Sequence, residues 1–366
     1  MAIFRRENIT ELLQPQEPPC VTMMFPIFRS GADSQQNSVR FKNMLRKASD
    51  SLIDTGMTRS HADKFLESAQ PLLNNNGFWQ NQSDSFALFL SGDNYQTFRI
   101  PFSLQESLKV DTRFHLSPLL PFFFENDRFY ILALSQNLIR LFQVVADNID
   151  QIELIDVPKD IDEMLLQYAE EKQGRRQAYF HGQGAPSLHS EDKIQQYMYL
   201  IDKGVHQVIA NEHVPLVFAG VDYLYPMWKT VNSYSDLCSE FIGGNPDRLS
   251  PKQLLENAKK IVAPIFAQVK QEAIDKYKQF VGTGHTTADP AQISAAASQG
   301  RIDILFITAG QRPAATPSDQ TKDDTKINDY LIDFAACETF LNRGRLFQLT
   351  PEEMPDKSEI CATLRY

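Results

Sequence analysis

Gly182 and Gln183 sit in the stretch RRQAYFHGQGAPSLHS, residues 175–190, and are the residues around which a reaction site could be built. A glutamine amide does not titrate near neutrality, so Gln183 is a poor general base. It can orient a water or donate hydrogen bonds, and Gly182 and Gly184 let backbone come close to a ligand. Such a loop suits a site where another molecule supplies the reacting group. No Asp or Glu occurs between Glu171 and Glu191, whereas Lys172, Arg175 and Arg176 are cationic and His181 and His189 can become so. This is a local reversal of sign, because the whole chain carries a formal charge of -10.

Other chemistries have little to stand on. No G-x-x-x-x-G-K-[ST] occurs, and GTGHTT at 282–287 lacks the lysine and spacing that cradle phosphates. There is no G-x-S-x-G elbow and no H-E-x-x-H pair. His206 and His213 are seven apart, too far for the i, i+4 spacing of helical metal ligands. Asp160, Asp162 and Glu163 read as the solvated start of a helix, favoured there by the helix dipole. Cys20, Cys238, Cys337 and Cys361 form no C-x-x-C pair and are expected to be reduced, buried thiols. Neither a metal nor a cofactor is expected.

The elements that must position the Gly-Gln loop come from periodicity. RFYILALSQNLIRLFQV reads as two strands joined at Ser135-Gln136-Asn137. After a break at Pro158 and an acidic helical piece comes the basic loop. Ser190 then serves as N-cap, with Glu191 and Asp192 in the first turn. Ile194, Met198, Ile201, Val205 and Val208 repeat at three or four residues, predicting an amphipathic helix to about Ala210. PLVFAGV is a buried strand. Ser250, Pro251 and Gln253 open a long helix as N-cap, first-turn proline and capping-box partner, and Pro264 is expected to kink it.

On either side the pattern is similar. CVTMMFPIF reads as a strand, residues 37–56 as a helix, and SFALFLSGDNYQTFRI as a hairpin. Near the end come a helix closed by Gly300, the strand RIDILFIT, a linker-like stretch AGQRPAATPSDQTKDDTK, the helix INDYLIDFAACETFLNRG, and the strands RLFQL and ICATLRY. The length of 366 residues allows two or three α/β domains, divided at 1–120, 121–283 and 284–366. The net acidity argues against coating nucleic acid by bulk charge, so RNA binding would have to be local. No apolar run approaches ~18 residues, which leads to the expectation of a soluble, cytoplasmic protein.

Gly182-Gln183 in a basic loop, after a hairpin-opened domain and before a long amphipathic helix, resembles the Gly-Gly-Gln loop of the archaeo-eukaryotic class-1 peptide-chain release factors. ASQGRIDILFIT and ICATLRY are similar to the third domain of that superfamily, and FHLSPLLPFFFENDRFYILALSQ and PLVFAGVDYLYP extend the likeness. The pattern is nearest to the bacterial branch, the bacterial release-factor homologues. The resemblance implies a lineage-specific α/β N-terminal domain, an RNase-H-like middle domain and a Pelota-like α/β/α C-terminal domain. It implies that Gln183, with Gly182, is directed to the ester linking peptide to transfer RNA. Lys172, Arg175, Arg176 and His181 would then lie along ribosomal RNA, which accounts for the reversed sign. The implied partners are the ribosome, its RNA and transfer-RNA site, and a translational GTPase; no membrane is involved.

Two departures shape the expected activity. His181 replaces the first glycine of the triplet, and no Asn-Ile-Lys-Ser stop-codon element occurs in the first segment. A factor for ribosome rescue or hibernation that reads no codon is therefore expected. A nonenzymatic occupant is favoured over an active peptidyl-transfer-RNA hydrolase. The alternatives are a free-standing RNase-H-like hydrolase or nuclease, with Asp222 after the buried strand as its one candidate carboxylate, and a protein-interaction module using DYLIDFAACETFL.

Overall fold

The structure, a computed structural model, describes the chain apart from residues 1, 5, 29–35, 81–83, 101, 126–127, 136, 146, 155–156, 159, 161–162, 164–190, 211 and 309–322. It is a mixed α/β protein, and its described residues form three sheets. The chain forms two compact units, one of Met1–Asp127 with Gln268–Tyr366 and the other of Arg128–Ala267.

The second unit carries the elements around the Gly-Gln segment. β6 (Arg128–Leu134), β7 (Ile139–Val145) and β8 (Asn148–Ile152) form an antiparallel meander. β9 (Leu216–Gly220) adds parallel to β6, and β10 (Ile242–Gly243) parallel to β9, giving the order β10-β9-β6-β7-β8. β6 and β9 are buried along their whole length, as strands covered on both faces should be. At the β6–β7 turn the Ser135 hydroxyl oxygen accepts from the amides of Asn137 and Leu138 at 3.1 and 3.0 Å, a side-chain substitute for turn hydrogen bonds.

Helix α5 (Glu191–Ile209) keeps the predicted stripe, with Ile194, Met198, Ile201, Val205 and Val208 all buried. Helix α6 (Leu224–Val231) seats Trp228 under the sheet. Helix α7 (Pro251–Phe280) opens with the predicted capping box: Gln253 N donates to Ser250 Oγ at 3.3 Å and Ser250 N to Gln253 Oε1 at 2.9 Å. Pro264 lies inside the helix without ending it. α7 gives Leu254, Leu255, Ala258 and Val262 to the core of the second unit, and Ala273, Ile274 and Tyr277 to a core of the first.

In the first unit, β1 (Ala2–Ile3), β2 (Cys20–Pro26), β3 (Ser85–Ser91), β4 (Asn94–Ile100) and β5 (Ser107–Asp111) form one sheet in the order β1-β4-β3-β2-β5. The β3–β4 hairpin turns through Gly92 at φ 54, a left-handed conformation that glycine adopts without strain. Helices α1 (Arg6–Leu13), α2 (Gln36–Asp54), α3 (Arg59–Leu66) and α4 (Asn76–Gln80) accompany it. Phe25, Phe41, Trp79 and Phe86 pack there with ring centroids 5.2–6.4 Å apart.

The other sheet of this unit is β11 (Thr286–Thr287), β12 (Ile302–Thr308), β13 (Arg345–Leu349) and β14 (Ile360–Leu364), ordered β11-β14-β12-β13. Helix α8 (Pro290–Ser298) precedes β12 and α9 (Asp323–Leu341) precedes β13. Asp323 to Lys326, part of the stretch that composition marks as linker, belong to α9, because acidic residues are favourable in a first helical turn. Among the described residues no helix is long and apolar enough to cross a membrane.

One contact in the second unit stands out energetically. Arg128 Nη2 donates to Glu212 Oε2 at 2.8 Å, with side chains only 2% and 4% exposed. Removing one partner leaves a buried charge uncompensated, at a cost of about 3–5 kcal/mol, whereas replacing both by apolar groups is near neutral. Arg128→Met alone is therefore expected to lower urea stability by about that amount. Arg128→Met with Glu212→Leu should recover most of it. Trp228 fluorescence in a Trp79→Phe background reads this unit alone, since the chain holds two tryptophans. Equal losses in the single and double variants would contradict the assignment.

Candidate functional site

Every residue that the sequence singles out, Lys172, Arg175, Arg176, His181, Gly182 and Gln183, lies within 164–190 and so outside the described residues. The residues that flank that segment are described. On the upstream side Pro158 is buried, and Asp160 Oδ1 accepts from Glu163 N at 2.7 Å; the helix expected to follow lies outside the described residues. On the downstream side Tyr197, one turn into the buried stripe of α5, is 2% exposed and its hydroxyl donates to the Pro158 carbonyl at 3.4 Å. A single phenol thus joins the chain entering the segment to the helix leaving it. Burial, and then the charges of Asp160 and Glu163, push the Tyr197 hydroxyl above its ordinary pKa.

The far end of α5 is fixed with equal care. Glu212 follows the helix and carries the buried pair with Arg128 at the head of β6. The Tyr234 hydroxyl accepts from Val214 N at 3.1 Å and lies 2.6 Å from Val214 O and 3.1 Å from Glu212 O. Burial is the main cause of its raised pKa. In the turn from α5 into β9 the Tyr234 hydroxyl therefore meets the backbone groups of Glu212 and Val214 inside the unit, as buried backbone requires.

The alternative carboxylate, Asp222, is exposed just after β9. A Cβ added at Gly243 would come 3.0 Å from its Oδ1, so the bare glycine leaves that carboxylate room. Among the described residues no group of three or more His, Cys, Asp or Glu could hold a metal. His206 Nδ1 lies 3.2 Å from Ser233 Oγ, and His213 Nδ1 lies 3.7 Å from Asp236 Oδ2, so these two histidines have separate partners.

The sequence reading missed one polar cluster, in the first unit. Ser117 donates its hydroxyl to Asp333 of α9, and the same Asp333 oxygen lies 3.6 Å from His115 Nδ1. These are the residue types of a nucleophile, base and acid, but their order is wrong for that work. The serine proton is directed to the carboxylate, and Ser117 Oγ is 3.3 Å from both ring nitrogens, so it meets the imidazole sideways. Despite the nearby carboxylate, burial and then the charge of Lys109 lower the His115 pKa to about 4. The cluster is a neutral-histidine clasp between the 115–117 segment and α9. Residues more than 200 positions apart give no spacing signal by which it could have been found.

Comparison with known proteins bears on the second unit above all. Residues 128–301 match the family model of bacterial archaeo-eukaryotic release factor family 3. No curated protein sequence matches the chain. Among solved structures the chain is similar to an archaeal translation termination factor, aRF1, at 13% identity and a TM-score of 0.27, covering 100% of this chain and 99% of that one. It is similar to S. cerevisiae Dom34, a translation termination-like factor involved in RNA quality control pathways and interacting with Hbs1. That match has 12% identity and a TM-score of 0.39, over 75% of this chain and 74% of that one. Archaeoglobus fulgidus Pelota is similar at 10% identity and a TM-score of 0.27, with 100% and 94% covered.

The Tyr197 anchor has a signature in pH. Its folded pKa lies above the unfolded value of about 10, so its contribution is complete below that pH and is lost as pH rises toward the folded value. Tyr197→Phe should cost about 0.5–1.5 kcal/mol at neutral pH and flatten the alkaline fall in stability of this unit. Trp228-monitored unfolding between neutral pH and the alkaline limb checks this, and an unchanged alkaline slope in the variant would contradict it.

Proposed function

We propose, on the match of residues 128–301 to the model of bacterial archaeo-eukaryotic release factor family 3, that the chain is a ribosome-associated translation factor that occupies the transfer-RNA site without reading a stop codon. The observation that carries this reading is a coincidence within the family-matched residues. Gly182-Gln183 and an acid-free flank of Lys172, Arg175, Arg176 and His181 fall between anchors at Pro158 and Tyr197. Phosphate contact gives the flank its reason: cations neutralise ribosomal RNA locally while the remaining surface stays acidic and soluble.

In this reading the chain has three domains, near 1–120, 121–283 and 284–366. A three-strand antiparallel meander extended by two parallel strands supports an RNase-H-like middle domain. The α8–β12–α9–β13 alternation supports a Pelota-like third one, which would receive a translational GTPase. Work on the ribosome places the protein in the cytoplasm. His181 stands where the family loop has glycine, and a Cβ there restricts the backbone freedom that brings a glutamine to the peptidyl ester. The factor is therefore a blocking occupant suited to rescue or hibernation, and Gln183 holds position or water instead of completing hydrolysis. A nuclease on the same scaffold would need several carboxylates around divalent metal, and Asp222 is one.

Ribosome co-sedimentation across a salt series tests the reading. Wild type should pellet with ribosomes at low salt. The variant carrying Lys172→Ala, Arg175→Ala and Arg176→Ala should bind more weakly, with a salt slope smaller by about 0.7–0.9 for each phosphate that it no longer neutralises. Gln183→Ala should leave binding intact. Absence of ribosome binding at low salt would overturn the reading, and peptide release abolished by Gln183→Ala would replace the occupant by an active hydrolase.

A further inference from the structure

The two helices that feed the β11-β14-β12-β13 sheet end in the same way, with one instructive difference. At the end of α8, Gly300 N donates to Ala297 O and Arg301 N to Ala296 O, both at 2.9 Å. At the end of α9, Arg343 N donates to Phe340 O at 3.0 Å and Gly344 N to Thr339 O at 2.8 Å. Both are Schellman closures, whose penultimate residue must adopt positive φ. In α8 that residue is Gly300 at φ 65; in α9 it is Arg343 at φ 58. Glycine fits this conformation freely, whereas a residue with a Cβ is strained in it. The chain thus accepts strain to place a guanidinium at a point where, one helix earlier, it uses glycine.

The topology brings three more arginines to the same end. Arg301 immediately precedes β12, Arg345 opens the parallel β13, and Arg365 follows the antiparallel β14, with Arg365 N donating to Arg301 O at 2.8 Å. Residues 299–302, 341–346 and 363–366 contain no Asp or Glu. Asp303, the nearest acid in sequence, is taken by Lys276 at 2.7 Å. Three of the arginines have structural duties: Arg365 Nη2 donates to Asn342 O at 2.6 Å, Arg301 Nη2 to Tyr366 O at 2.5 Å, and the Arg345 guanidinium lies 5.0 Å from the centroid of the buried Phe347 ring, which leaves its N–H edges for a ligand. Arg343 is exposed, and its guanidinium has no hydrogen-bond or ion-pair partner among the described residues. Tyr366 is 67% exposed, with the Arg301 guanidinium 5.4 Å from its ring centroid.

We propose that this end of the sheet is an RNA-binding surface in which Arg343 and Arg345 contact backbone phosphates and Tyr366 stacks on a base. All four cations are arginine, whose planar fork pairs bidentately with phosphate and stacks on bases. An exposed aromatic among arginines is the arrangement by which proteins hold unpaired nucleotides. The aliphatic residues of the three segments are buried or half-buried, so a lipid surface would find no apolar anchor. The surface is distinct from residues 164–190, and the inference stands without the ribosomal reading of that segment.

Arg343→Gly is the discriminating variant, because it removes the guanidinium and relieves the backbone at once. Binding of a fluorescein-labelled mixed-sequence RNA oligonucleotide to the full chain is measured across a salt series, beside thermal unfolding. The unfolding midpoint should be unchanged or raised, while RNA affinity falls about 3- to 10-fold and the salt slope shrinks by about 0.7–0.9. Arg343→Ala should show the same weakening of binding with a lower midpoint. The triple variant in residues 172–176 should keep the share of binding that depends on Arg343, so the two surfaces can fail separately. RNA affinity and salt slope equal to wild type in Arg343→Gly would overturn the proposal. So would tighter binding of polyglutamate than of RNA that Arg343→Gly abolishes, which would assign the surface to an acidic protein.

Discussion

A charge pair with almost no access to water decides the geometry of the family-matched unit. Arg128 begins β6, the strand that carries both the antiparallel meander and the parallel extension, and Glu212 lies in the turn that brings α5 back to β9. Two ions so buried are costly unless they meet, and they meet only when strand and helix take their native places. The pair therefore works less as a source of stability than as a condition on register, and the Tyr234 hydroxyl seals the same turn. With that end of α5 fixed, the other end presents Tyr197 to Pro158, so the described residues on either side of 164–190 touch one another.

The sequence disclosed what is local. The α5 stripe, the hairpins at Ser135 and Gly92 and the capping box of Ser250 with Gln253 rest on spacings of two to four residues, and all are present. What stayed hidden is non-local or weakly patterned. β8 has the half-polar sequence NIDQI and takes its structure from pairing with β7. β1, β10 and β11 have two residues each, too few for any period to register. The Arg128–Glu212 pair and the His115–Ser117–Asp333 clasp join distant positions that nothing in their own neighbourhoods links. The candidate site divides the same way: composition exposed the basic Gly-Gln segment, and only the fold reveals how its flanks are tied together.

The arginines at the end of the C-terminal sheet extend the same logic of charge. In a chain with net charge -10, cations gathered without neighbouring acids are informative because the background sign is against them. Residues 172–176 achieve this by proximity in sequence. Arg301, Arg343, Arg345 and Arg365 achieve it by strand order, which no linear reading of charge would find. At Arg343 the left-handed backbone, which glycine would adopt without strain, carries a guanidinium instead.

The position of residue 183 on the ribosome is the most direct test of the proposed role. A photocrosslinking amino acid placed at Gln183 of the full chain, irradiated in the ribosome-bound complex, would mark its neighbours. Crosslinks to large-subunit ribosomal RNA of the peptidyl-transferase site are expected, suppressed when a transfer RNA fills that site. Crosslinks confined to other surfaces of the ribosome, from protein that co-sediments normally, would contradict that role.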